Sequence, residues 1–352
     1  MKRKALLFFN QFLIAFTLLA YGCAFISPET LWLAGFVAYL IPVFFLFHFF
    51  CLYAWWKLDK KKMLLSALTL IIGYKFIFST VAINFDNTSK SDFSVLSYNT
   101  RVFNVYDHLN EGNHSSEKML DWVQKDNSDI KCFQEFYNFD KSKTFNSTKK
   151  IKNDGKYYAY VQPRLVSKKQ EFGLAIFSKF PIIKKGRIEF SEASNNDAIF
   201  ADVVIDKKDT IRIINIHLQS MSIDENSLTN TDEWKSNAKS LGKSLKKGFI
   251  ARAKQLGAVE KYVLESPHRV VLCGDLNDTP YSYTYFRLLQ TLRSTFEHAG
   301  NGFGFSYNGK LFFLRIDNQF HSNDLFPSSY ETIRSVKYSD HFPIKGFYRF
   351  EE

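Results

Sequence analysis

Two patterns of hydrophobic and polar positions divide the chain. Up to residue 83 the apolar residues come in long runs. Leu6 to Ile26 is broken only by polar positions such as Asn10 and Gln11, and Ser27-Pro28-Glu29-Thr30 makes a short polar turn. Leu31 to Trp56 is apolar again, Lys57 to Lys62 is a charged cluster, and Met63 to Ile83 is a third run carrying one Lys75. Runs of this length predict a bundle of about three transmembrane helices, near 6–26, 31–56 and 63–83. A polar linker follows at 84–92. From Phe93 the pattern changes to short alternating segments, and 93–352 reads as one separate domain. Strands are predicted at 93–99, 129–135, 156–162, 173–178, 199–205, 211–218 and 270–275, with a further strand at 312–320 and a terminal one after 343. Helical spacing marks 115–125, 249–264 and 283–290. The Lys/Ser/Asn-rich stretch 219–248 reads as a surface insertion.

Charge changes the picture in one respect. The chain carries a formal net charge of +11, which alone suggests a nucleic-acid partner. Nine Lys/Arg against three Asp/Glu lie in residues 1–90, so six of the eleven excess charges sit beside apolar segments. There they are a topology signal. Lys2, Arg3 and Lys4 precede the first run, and the lysines at 57–62 follow the second. Both clusters therefore fall on one side, the cytoplasmic one. Three crossings would make the protein a multi-pass membrane protein with its large domain on the extracytoplasmic side. Lys75 is the weak point of the third span, and if that segment does not cross, the large domain is cytoplasmic instead. A signal peptide does not fit, because no small-residue cleavage site is apparent and two more apolar runs follow. Cys23, Cys51, Cys132 and Cys273 have no metal-ligand spacing, and buried free thiols are expected.

Candidate chemistry collects at strand ends: Asn99, Glu135, His217, Asp275 with Asn277, Asp317, and Asp340 with His341. Each alone has an ordinary explanation. Gly274-Asp275-Leu276-Asn277 reads equally as a capped β-to-α turn or as a metal or phosphate site, with Asp278 and Thr279 capping the next helix. Together the groups offer oxygen ligands for a hard divalent cation and two imidazoles. The absence of clustered His or Cys argues against zinc.

Six motifs in order resemble the endonuclease/exonuclease/phosphatase superfamily: Ser-Tyr-Asn at 97–99, Gln-Glu at 134–135, Asn-Ile-His-Leu at 215–218, Gly-Asp-Leu-Asn at 274–277, Arg-Ile-Asp at 315–317 and Ser-Asp-His-Phe-Pro at 339–343. The resemblance covers 93–352 and none of the first 83 residues. It implies a four-layer α/β sandwich, two packed mixed β-sheets flanked by helices. It also implies phosphoester hydrolysis by metal-assisted in-line water attack, with Mg²⁺ as cofactor and Mn²⁺ or Ca²⁺ as substitutes. Carried over by motif, Glu135 is the principal metal ligand, with Asn99 and Asp340 beside it. Asp275 handles the attacking water, Asn277 holds a phosphate oxygen, and His341 faces the phosphate with Asp317 fixing its tautomer. His217 contacts phosphate or serves the leaving group. Arg101 is expected at a phosphate, and Glu171 falls where the deoxyribonuclease branch pairs a Glu with the first histidine. Arg101 stands where the apurinic endonucleases have Asp, which speaks against that repair role.

The expected partners are a phosphoester substrate, nucleic acid or phospholipid among them, and the membrane around the N-terminus; no obligate protein partner is evident. A nuclease would use the bases at Lys235, Lys239, Lys243, Lys246, Lys247, Arg252 and Lys254. A sphingomyelinase-like lipid phosphodiesterase would use the anchor, and a phosphatase of soluble phosphoesters is the third reading. A catalytically dead binding module would have lost ligands, and all six motifs persist.

Overall fold

The computed structural model describes residues 2–84, 90–111, 114–167, 170–190, 196–207, 209–221 and 234–351. Most of the linker and the first part of the insertion lie outside them. By compactness the chain divides into two units: 1–81 with 221–253 and 279–287, and 82–220 with 254–278 and 288–352.

The first unit is helical. Helices α1 (Lys2–Cys23), α2 (Leu33–Ala38), α3 (Ile41–Leu58), α4 (Met63–Ile72) and α5 (Tyr74–Phe78) follow in order. Two stretches, Arg3–Cys23 and Leu33–Leu58, are long and apolar enough to cross a membrane. The third expected span is not one helix. It breaks at Gly73, where an added Cβ would fall 2.1 Å from the Tyr21 hydroxyl. Ten residues of α4 rise only about 15 Å, half of a bilayer core. Nor is this unit uniformly apolar inside. Trp55 Nε1 donates to Asn10 Oδ1 (3.0 Å), and Asn10 Nδ2 donates to Ser66 Oγ (2.8 Å). Ser66 Oγ is 3.0 Å from His48 Nδ1, and His48 Nε2 is 3.0 Å from Thr17 Oγ1, which donates to the Leu13 carbonyl. Every member is satisfied, so this buried chain ties α4 to α1 and α3 at little desolvation cost. Later segments join the same unit: Phe249 packs on Phe36 and Tyr39, and Phe286 on Phe25 and Phe76.

Among the described residues the second unit has twelve strands: β1 (Phe93–Asn99), β2 (Ile130–Phe139), β3 (Tyr158–Ser167), β4 (Gln170–Ser178), β5 (Ile182–Ile188), β6 (Asp197–Val204), β7 (Thr210–His217), β8 (Arg269–Asp275), β9 (Arg293–Ser294), β10 (Asp317–His321), β11 (Phe326–Thr332) and β12 (Ile344–Arg349). They form two six-stranded sheets, ordered β11-β12-β1-β2-β4-β3 and β5-β6-β7-β8-β10-β9. Both are mixed. β1–β2 and β7–β8 are parallel, and the other pairs are antiparallel. Inward residues of both sheets, among them Val95, Ile130, Ile176, Ile199, Ile213 and Val271, share one buried core. The outer face of the first sheet (Leu96, Tyr98, Phe133, Phe177) packs on Met119, Leu120 and Val123 of helix Ser115–Lys125. On the second, Phe200 and Arg212 meet Tyr262 of helix Trp234–Leu264. This is the expected arrangement of two mixed sheets flanked by helices.

Four elements depart from the pattern reading. The long helix begins at Trp234, inside the stretch expected as an insertion, and the strand around Asp317 spans only 317–321. Strands β5 and β11 were not expected. All four cysteines are buried and free. Arg212 and Asp202 form a buried bidentate pair (2.7 and 2.8 Å). Arg212→Ala would strand a buried carboxylate and is expected to destabilise the fold by about 3–5 kcal/mol, read as a lowered thermal midpoint. An unchanged midpoint would mean that Asp202 finds water.

Candidate active site

Strand register assembles the site. In the second sheet His217 pairs with Asp275 across β7–β8, and Asp275 with Asp317 across β8–β10, so three functional groups stand side by side at one level. The first sheet supplies Asn99 at the end of β1, Glu135 from β2 and His341 just before β12.

Local backbone features aim these side chains. Between Phe133 and Phe136 the β2–β4 pairing slips by one residue. Glu135, at φ 49°, sits in that bulge, which turns its carboxylate out of the strand alternation while both phenylalanines stay buried. Asn277 is likewise left-handed, at φ 50°, a conformation that Asn tolerates. After Asn99 the chain makes a left-handed turn, Arg101 to Asn104 all having φ near 50°. The amide of Arg101 donates to Asn99 Oδ1 (3.1 Å), which leaves Nδ2 facing the carboxylates. Gly274 has φ 141°, and a Cβ there would lie 2.0 Å from the Ile216 carbonyl oxygen. Gly274→Ala is therefore expected to cost about 3 kcal/mol and to displace Asp275. A variant with wild-type midpoint and turnover would contradict this.

Asp275 Oδ2 is the hub. Asn99 Nδ2 lies 3.1 Å from it, Asn277 Nδ2 3.2 Å, His217 Nε2 3.6 Å and His341 Nε2 3.8 Å. Glu135 Oε1 joins the group, 3.4 Å from Asn99 Nδ2 and 3.9 Å from His217 Nε2. His341 Nδ1 lies 2.8 Å from Asp317 Oδ2, and both groups are buried. Burial opposes charge on His341, but Asp317 and then Asp275 outweigh it and raise its pKa to about 10. The ring is thus cationic at neutral pH, with Nε2 presented to the site. Burial also pushes the Asp317 carboxyl upward, against the pull of His341. Ser306 Oγ accepts the amides of Ile316 and Asp317 (3.1 and 3.0 Å) and fixes the strand end beneath the pair.

Three expected placements change. Asn277 does not offer a free donor, because Nδ2 serves both the Leu218 carbonyl (2.9 Å) and Asp275, so it positions Asp275. Glu171 does not meet His217. It lies opposite Asn138 in the β2–β4 ladder and accepts from Asn138 Nδ2 at 2.9 Å. Arg101 stands at the rim, bonded to Asp107 (3.0 Å) and 3.9 Å from Asp340. Asp340 is half exposed and reaches the group through Ser339, whose Oγ is 2.9 Å from the Asn99 carbonyl and 3.1 Å from Asp340 Oδ1.

Sequence reasoning gave no role to a polar layer under the site. Asn215 Nδ2 donates to the carbonyls of Phe133 and Ala175 (3.0 and 3.1 Å), and Gln134 Nε2 donates to Asn215 Oδ1 (2.6 Å) and Ser97 Oγ (3.1 Å). The Asn215 bonds cross from one sheet to the other and fix the spacing on which the Glu135–Asp275 approach depends. Their signal was present, since Gln134 and Asn215 lie within motifs.

The donor set fits a hard divalent cation. Glu135 and Asp340 offer carboxylate oxygens partly open to solvent, with no thiolate near, while Asn99 faces Glu135 and Asp275 through Nδ2 and would have to turn Oδ1 toward a cation to ligate it. Asp275, Asp317 and His341 also present three ligand atoms within 4.8 Å. The close Asp317–His341 bond already engages two of them, so that trio is better suited to proton and phosphate contacts.

A sandwich of two mixed sheets with a buried His–Asp pair, a central Asp and an exposed carboxylate defines a class of phosphoester-hydrolysing enzymes. The family model for the endonuclease/exonuclease/phosphatase family matches residues 96–341, and the chain belongs to that family. It is thus a hydrolase acting on phosphate esters. A second model, a domain of unknown function, matches residues 3–80. No curated protein matches the sequence. Among solved structures, the chain is similar to an endonuclease/exonuclease/phosphatase from Beutenbergia cavernae. That match has 13% identity and TM-score 0.54, and covers 74% of this chain and 72% of that one. A mannosyl-6-phosphatase of Bacteroides thetaiotaomicron matches at 18% identity and TM-score 0.53, covering 73% and 100%. The human Nocturnin catalytic domain matches at 16% and 0.53, covering 76% and 96%.

Proposed function

We propose that this chain is a membrane-anchored, Mg²⁺-dependent phosphoester hydrolase, a nuclease or phosphodiesterase in reaction type; with α1 and α3 as its two crossings, the catalytic domain (93–352) shares the cytoplasmic side with the basic clusters. The observation that carries the reading is the convergence on Asp275 Oδ2 of Asn99, Asn277, His217 and His341. Glu135, with Asn99 and Asp340, would hold Mg²⁺, which when bound neutralises phosphate charge and stabilises the leaving oxygen. The rest is the work of the chain's own groups. Asp275 accepts a proton from the attacking water and orients it, held in place by Asn277. Cationic His341 faces the phosphate, its ring fixed by Asp317. His217 contacts a phosphate oxygen or gives a proton to the departing one. Arg101 can reach the phosphate only by leaving Asp107.

The membrane part rests on the two long apolar helices and on the buried bonds that hold α4 in the same unit. A lipid phosphodiesterase and a soluble-ester phosphatase are the alternatives within the same chemistry. Full-length protein in nanodiscs is expected to hydrolyse bis-p-nitrophenyl phosphate with Mg²⁺ and to stop in EDTA. Plasmid DNA and phospholipid assayed alongside assign the class. A reporter active only outside the cytoplasm, fused after residue 90, is expected to stay silent with two crossings; signal there would require α4 and α5 to cross as well.

A further inference from the structure

The loop from Gly302 to Leu314 is built to be solvent-facing yet is aromatic. Phe303, Phe312 and Phe313 are each more than half exposed (52%, 66% and 52%). Phe303 stacks on Phe305 at 5.0 Å, and Phe312 meets Phe313 edge to face at 5.8 Å. The loop is closed rather than frayed. The amides of Ser306 and Tyr307 bond the Leu314 carbonyl (3.0 and 3.1 Å), and that of Leu314 bonds the Leu311 carbonyl (3.0 Å). Exposed Arg334 lies over Phe305 and bonds its carbonyl, and Lys310 is exposed at the tip. Clustered phenyl rings flanked by bases are costly in water and suited to a lipid interface.

Two attachments give the loop its place. One is the active site. The Tyr307 ring packs edge-on against His341 at 5.6 Å, and Asn308 donates its amide to the Asp340 carbonyl (2.7 Å). The other is the exit from the apolar segment. Ala82, four residues beyond α5, exchanges both backbone bonds with Gly302 (3.0 and 2.9 Å). Asn84 bonds Asn301, Glu297 and Gly300, and Ile83 between them is 76% exposed. One loop therefore borders the reacting groups and is stitched to the residues that follow α5, at the end of the apolar segment.

We propose that this loop is an interfacial platform: its phenyl rings rest in the headgroup region of the bilayer that holds α1 and α3, and the substrate is the phosphoester of a membrane lipid. The substrate half rests on the reading of the site as a phosphoester hydrolase; the platform half does not. Continuity with the apolar segment through Ala82 favours the bilayer over a protein or a nucleic acid as the occupant. Arg334 and Lys310 suit anionic headgroups.

The test uses full-length protein in phosphatidylcholine–phosphatidylglycerol nanodiscs. Because the four native cysteines are buried, Phe312→Cys can be labelled selectively with the environment-sensitive dye NBD. Blue-shifted emission, quenched when the lipids carry bromine near the headgroup, is expected. A label at Lys125→Cys, on an exposed helix end, should stay unquenched. An unquenched label at 312 overturns the platform and leaves the face to a protein partner. The combined Phe312→Ser and Phe313→Ser variant is expected to lower the ratio of phosphatidylglycerol to bis-p-nitrophenyl phosphate hydrolysis about tenfold, less than the roughly 10²-fold or more for full withdrawal of two phenyl side chains from an apolar phase, because α1 and α3 still hold the protein at the bilayer. Phe312→Leu with Phe313→Leu should restore most of it. Wild-type protein that cleaves the soluble ester but no phospholipid overturns the substrate half. Failure on both esters would instead indict the site, while the dye still reports on the loop.

Discussion

Asp275→Asn is expected to lower kcat for bis-p-nitrophenyl phosphate by about 10³-fold, within the range for loss of a positioned general base. The substitution conserves shape but not chemistry. Asp275 Oδ2 lies among four nitrogens, those of Asn99, Asn277, His217 and His341. An amide there puts N–H against N–H or offers only a neutral oxygen. It also removes one of the carboxylates that keep His341 cationic. Because Asp275 is buried, replacing its charge need not unfold the protein, and stability and turnover should separate. Steady-state kinetics beside a thermal melt would show it. A variant retaining a third of wild-type kcat would remove Asp275 from the chemistry.

Glu135→Gln is expected to act differently. It should cut kcat by about 10²-fold at moderate Mg²⁺ and raise the Mg²⁺ concentration giving half-maximal rate by about 10-fold or more, since the charged oxygen donor is lost while the bulge is kept. The φ of 49° at residue 135 is a property of the β2–β4 slip, and Gln accepts it as Glu does. A Mg²⁺ titration of both proteins checks this. An unshifted midpoint would move the metal away from Glu135, toward Asp275, Asp317 and His341.

How much of this was legible beforehand follows from the range of the interactions involved. Strand ends could be read because alternation is local, and β1 runs from Phe93 to Asn99 as the pattern predicts. The ordered motifs foretold which groups meet, and the His217–Asp275–Asp317 register realises that meeting. The bulge at Glu135 depends on pairing with β4, which no local pattern carries. The surroundings of Asn277 and Glu171 are hidden from the sequence for the same reason. Their partners, the Leu218 carbonyl and Asn138, come from other strands or loops. Phe312-Phe313-Leu314 read as a strand because it is apolar, but it belongs to a closed loop whose rings face outward. The third apolar run looked like a span by composition. It divides at Gly73, whose ψ of 19° leaves the helix and against which Tyr21 packs closely.

The central claim is that a metal-assisted phosphoester hydrolase operates at Asp275 and its neighbours. The most direct measurement is the Mg²⁺ dependence of bis-p-nitrophenyl phosphate hydrolysis by full-length wild-type protein and its Asp275→Asn variant, side by side. The account predicts wild-type turnover that vanishes in EDTA, returns with Mg²⁺, and is nearly absent from the variant at every Mg²⁺ concentration. Equal rates in the two proteins, or wild-type turnover indifferent to EDTA, would contradict it.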